Sequence, residues 1–138
     1  MADQPEHKAR IDELLARFAA ERGVVLEPLS HEGVTQVARG SATVRINVLE
    51  EHGVLLLIAP IMRVPERNTE AFYRRLLELS FLATSDAAFA IDKQTDMVYL
   101  RSLRRLEGIE YEELEDLLHT IATVADEWDD KLRAQFGA

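Results

Sequence analysis

Cysteine is absent from the 138 residues, which excludes disulfides, thiol chemistry and cysteine-based zinc sites. The six glycines stand singly, so no glycine-rich loop is available to cradle a phosphate. Long apolar runs are missing too. The longest, Val54–Ile61, contains Pro60 and falls far short of the roughly 20 residues a membrane-spanning helix needs. The opening MADQPEHKAR carries charges where a signal peptide needs an apolar core. A cytoplasmic protein is therefore expected.

Positive charge is the next shortage. With 16 basic against 25 acidic residues the net charge is -9, a balance that repels phosphate backbones and anionic lipid. Nucleic acid and membrane are thus poor partners, and another polypeptide is the better one. Histidine is sparse: His7, His31, His52 and His119 form no HExxH and no convergent set of three or four metal ligands. Asp92–Asp96 lacks the central glycine and distal glutamate of a calcium loop. Asp126, Glu127, Asp129 and Asp130 read as a solvated acidic face. Ser80, Thr84 and Ser85 have no activating histidine near them in sequence. The expectation is a protein that is not an enzyme, with no catalytic residue, metal or cofactor.

What the sequence does contain is pattern. Asp3 and Glu6 have capping-box spacing around Pro5. Ile11, Leu14, Leu15, Phe18 and Ala19 then recur at helical spacing up to Gly23, a C-cap residue. Val24–Leu29, interrupted by Pro28, is an edge strand or linker. Val34–Arg39 and Ala42–Glu50 form a hairpin across Gly40-Ser41, the second strand alternating apolar and polar residues. Val54–Ala59 is apolar at every position, which predicts a central strand covered on both faces and ended by Pro60.

Asn68 is placed to cap a helix through its side chain. In that helix Phe72, Leu76, Leu79 and Ala83 share one side at about 100° per residue. Tyr73, Leu77 and Phe81 form a second stripe beside it. Such an apolar arc exceeds what packing on one sheet requires. Either the last helix of the same chain covers the extra stripe or a second copy does. Strands Ala87–Ile91 and Met97–Arg101 follow across a turn. A long helix, Ile109–Arg133, closes the chain with Leu114, Leu117, Leu118, Ile121, Ala125, Trp128 and Leu132 on one stripe. Trp128 is expected in the core. Ten of the 25 acids lie between Glu107 and Asp130, where Arg74-Arg75 and Arg104-Arg105 are expected to find ion-pair partners. The order predicts an α+β fold, α-β-β-β-α-β-β-α, as a single domain over residues 1–138.

Leu76–Leu82, Phe89–Asp92, Val98–Arg101, Leu106–Ile109 and Ala125–Trp128 form an ordered set of pieces. That set resembles the second half of YbjN-like domains and of class I type III secretion chaperones of the CesT kind. The resemblance implies an antiparallel sheet packed with helices, a homodimer, and no catalytic residues. It also implies a client segment held without ATP on apolar patches. By position those patches fall on Leu15, Phe18, Val44, Ile46 and Val48, with Tyr73, Leu77 and Phe81 at the dimer seam. The YbjN side of the resemblance implies instead a regulatory or assembly adaptor acting on a folded partner.

Overall fold

A computed structural model describes residues 6–137, so Asp3 and Pro5 of the expected capping box lie outside the described residues. The elements are helix α1 (Glu6–Arg22), strands β1 (Val34–Arg39), β2 (Ala42–Leu49) and β3 (Val54–Arg63), and helix α2 (Thr69–Leu82). Strands β4 (Ala88–Asp92) and β5 (Met97–Arg105) and helix α3 (Tyr111–Phe136) complete them. The five strands make one antiparallel sheet in the order β1-β2-β3-β5-β4. The fold is the α+β arrangement the sequence predicts. Residues 24–29 are a linker, not a strand.

Helix α3 supplies the largest share of the core. Its Leu114, Leu117, Leu118, Ile121, Ala125 and Leu132 are buried over Val44, Ile46, Leu55, Leu57, Ala59 and Leu100 of the sheet. Burial of this apolar stripe holds the helix, because its exposed side is acidic and solvated. Helix α1 lies beside the start of α3 and contributes Ile11, Leu15 and Phe18. Polar ties fix its position. Asp12 accepts from the Leu29 N–H at 2.8 Å, Tyr111 donates to Glu21 at 3.0 Å, and Arg22 pairs with Glu115 at 3.1 Å. Burial, and then the Glu21 carboxylate, push the Tyr111 hydroxyl above its ordinary range.

Several boundaries differ from the expectation. Strand β3 continues through Pro60 to Arg63. Pro60 is tolerated because β2 pairs with β3 only as far as Ile58, so no neighbour on that side needs the missing N–H. On the other side the register shifts between Pro60 and Met62. Strand β5 extends to Arg105 because Leu103–Arg105 pair with Val54–Leu56. One face of β3 is buried, but Val54, Leu56 and Ile58 on the other are only half-buried. The strand is central without being covered on both sides.

Two members of the acidic cluster on α3, Asp126 and Asp129, are structural rather than solvated, while Glu127 and Asp130 are exposed as expected. Asp129 is 1% exposed, lying 2.9 Å from the Ser41 hydroxyl and 3.5 Å from Arg133. Asp126 accepts from the Ser41 N–H at 2.9 Å and lies 3.0 Å from the same hydroxyl. The β1–β2 turn is thereby pinned to the helix. Trp128, expected in the core, is half-buried instead, with Arg75 and Lys131 over its ring at 5.3 and 4.7 Å.

The Ser41 N–H, and then its hydroxyl, hold the Asp126 carboxyl below its ordinary range. Glu21 is lowered likewise, by Arg17 first and Tyr111 second. A depressed folded-state value means that the unfolded chain binds these protons first. The stabilisation is complete above the ordinary carboxylate value and is lost as pH falls through the folded one. Melting temperature should therefore drop on acidification below about pH 5. Asp126→Asn should show a shallower drop than the parent chain, and parallel curves would remove this contact from the account.

The Ser102 hydroxyl is buried on the core face without a hydrogen-bond partner. An orphaned buried hydroxyl costs about 1–3 kcal/mol. Ser102→Ala is expected to stabilise the protein by about 1 kcal/mol in urea denaturation; a loss of that size would show that the hydroxyl has a partner after all.

Candidate functional site

Helix α2 starts at Thr69, with Glu70 in its first turn where the dipole favours an acid. Asn68 does not cap it with its side chain. Its backbone is left-handed at φ 59°, and its carbonyl accepts from the Phe72 N–H at 2.9 Å. Phe72, Leu76 and Leu79 are buried, and Phe72 meets Phe136 of α3 edge-on with centroids 5.2 Å apart. Ala83, expected on this face, is exposed because the helix ends at Leu82.

The second stripe stays in solvent. Tyr73, Leu77 and Phe81 are 41%, 73% and 89% exposed. Spaced four residues apart, they run as one ridge along the helix. Leu82 and Ile91 are exposed beside them. Tyr73, Leu76 and Leu77 form one wall of an apolar groove of about 310 Å³, and Phe89, Ala90 and Ile91 of β4 form the other. α3 lies against the Phe72 side and leaves the stripe bare. The Ser80 hydroxyl accepts from the Phe89 N–H at 3.1 Å, which occupies one donor of this edge strand.

Leu82, Phe89 and Ile91 were not assigned to this surface from the sequence. The signal was present in Phe81-Leu82 as adjacent apolar residues at a helix end. It was also present in Ile91 as part of a strand whose cover could not be read. The patch residues Leu15, Phe18, Val44, Ile46 and Val48 are all buried. They form the core between α1, α3 and the sheet, so none of them is open to a client in this structure.

The charged candidates resolve into local contacts. Arg74 pairs with Glu78 of its own helix at 3.1 Å. Arg104 reaches Asp86 and also Glu113 of α3 at 3.4 Å. His7 lies 2.6 Å from Glu50, and His119 is exposed near Arg39. Among the described residues no group of three or more His, Asp or Glu is placed to hold a metal ion, and no helix is long and apolar enough to cross a membrane.

The sequence profile of the Tir chaperone protein (CesT) family matches residues 13–129. The chain belongs to this family. No curated protein matches it significantly. Among solved structures it is similar to a chain of the ExsC–ExsE complex, with 24% identity, 91% of this chain and 95% of that one covered, and a TM-score of 0.73. It is similar to a chain of the HopA1–SchA chaperone–effector complex, with 11% identity, 92% and 98% covered and a TM-score of 0.70. YbjN from E. coli has the same fold, with 12% identity, 86% and 91% covered and a TM-score of 0.62. The CesT fold therefore spans the described chain from α1 to α3, and both sides of the sequence resemblance are present in it.

Proposed function

We propose that this CesT-family protein is a non-enzymatic, homodimeric binding module that works in the cytoplasm. In this reading α2 packs against α2 of a second copy, and the paired molecule holds a segment of a client polypeptide without ATP or cofactor. The observation that carries it is the bare ridge Tyr73–Leu77–Phe81 above an apolar groove. Water-exposed apolar surface of this extent on a folded chain is the mark of an interface. A ridge on α2 beside the groove between α2 and β4 offers the self-complementary surface that a two-fold contact needs. With Ser80 against the edge of β4, pairing here runs through side chains rather than strand addition. Family membership and the fold likeness to a chain of a chaperone–effector complex support the client-holding part.

The test is co-purification from the native host followed by truncation of the partner found. A chaperone retains an isolated segment of that partner. Retention of the intact folded partner alone would favour the adaptor reading, for which the likeness to YbjN is the supporting observation.

A further inference from the structure

The sheet has a second unpartnered surface, opposite the face covered by α3. Three rows of paired residues cross it. They run Asn47–Leu56–Leu103, Arg45–Ile58–Arg101 and, one step along, Pro60–Tyr99–Ala90. An antiparallel sheet with one wet face ordinarily alternates apolar-in with polar-out. Here the outward positions of β3 and β5 include Leu56, Ile58, Tyr99 and Leu103, the last 44% exposed. The centre of a solvent-facing sheet is thus built of large apolar side chains.

The charge on this surface is as unusual as its apolarity. Of the protein's 25 acidic residues, only Asp92 lies in any of the five strands. Asp92 sits at a corner of the sheet opposite Met97, where its carboxylate accepts from the Gln94 N–H in the turn. Arg45, Arg101 and Arg105 are exposed on the same face. Arg104, whose side chain is on the helix side, is engaged by Asp86 and Glu113. No carboxylate pairs with Arg45, Arg101 or Arg105 among the described residues. A molecule of net charge -9 thus presents one face that is apolar, cationic and nearly free of acid.

We infer that this open sheet face, centred on Ile58 between Arg45 and Arg101, docks a partner segment whose apolar stripe is edged by carboxylates. Charge complementarity selects that occupant. Arg45 and Arg101 flank Ile58 from the strands on either side, about 10 Å apart at two inter-strand spacings. That separation matches the width of an amphipathic helix with its side chains, and guanidinium forks suit carboxylates on its borders. A nucleic acid would bring no apolar stripe for Leu56, Ile58 and Leu103 to cover. The inference rests on the proposed function, that the protein holds another polypeptide, and adds which chemistry that polypeptide carries.

The test uses a synthetic amphipathic peptide with a leucine stripe flanked by glutamates, and its twin with every glutamate replaced by glutamine. Both are titrated into the protein at low salt. The glutamate peptide should bind about tenfold tighter, with the difference shrinking as salt rises. Amide shifts should centre on Leu56, Ile58, Tyr99 and Leu103. Arg45→Gln with Arg101→Gln should abolish the preference between peptides and leave the protein folded, since both side chains are exposed. Equal binding of the two peptides would overturn the inference, as would shifts centred on Tyr73, Leu77 and Phe81. A change in oligomeric mass in the double variant would also overturn it, by assigning the face to a second copy. Failure of both peptides to bind would sink this assignment and leave the client-holding reading to be judged by the native partner.

Discussion

Leu77→Glu combined with Phe81→Glu is expected to convert the proposed dimer into a folded single chain, with the dissociation constant raised by more than about a thousandfold. The size follows from interface energetics. Truncating an apolar side chain at the buried centre of an interface costs about 2 kcal/mol or more, and each 1.4 kcal/mol is tenfold in affinity. A two-fold seam meets each substitution twice, and carboxylates placed there face desolvation as well as lost contact. The protomer itself should be indifferent, because both residues face solvent within it. Arg74→Glu is the control. Arg74 contacts Glu78 on its own helix, so its reversal removes an exposed ion pair rather than apolar contact and should weaken pairing far less. Sedimentation equilibrium on the three proteins measures this, and equal effects from all the substitutions would remove α2 from the seam.

Gly40→Ala is expected to destabilise the fold by about 2–3 kcal/mol, lowering the melting temperature by roughly 10 °C. Gly40 has a left-handed backbone at φ +58°, and a Cβ there would collide with the Asp126 carboxylate. The left-handed conformation costs an alanine about 1–2 kcal/mol. Displacing Asp126 from Ser41 removes hydrogen bonds worth about 1 kcal/mol net. Gly23 provides the comparison, since it has a similar φ of +66° but nothing within 4 Å of its Cβ position. Gly23→Ala should therefore show the backbone cost alone. Thermal melts of the two variants separate strain from collision, and identical losses would mean that Asp126 gives way freely.

Much of this architecture was legible in the sequence. Helical spacing in Ile11–Ala19 and Leu114–Leu132, and alternation in Ala42–Val48, are local signals that burial of one face preserves in the folded chain. The extra stripe on α2 was legible for the same reason, as three apolar residues at positions that one sheet does not require. What escaped was decided by neighbours distant in sequence. Pro60 looked like an end because the absence of a β2 residue opposite it cannot be read from β3. Val54–Ala59 looked doubly covered because apolarity shows which positions avoid water, not whether a helix arrives to shield them. Asp129 looked solvated because its partners are a serine in a distant hairpin and an arginine one turn later. Trp128 looked like core, yet two cations hold it at the surface. Leu15, Phe18, Val44, Ile46 and Val48 were nominated as client patches by position in a family and lie in the core by packing.

Light scattering at micromolar concentration addresses the main claim with one number. If the bare ridge of α2 is a seam, the protein elutes with twice the 15.6 kDa mass of one chain and falls to that single mass when Leu77 and Phe81 carry glutamate. A parent protein that already scatters as one 15.6 kDa chain across that concentration range would contradict the claim.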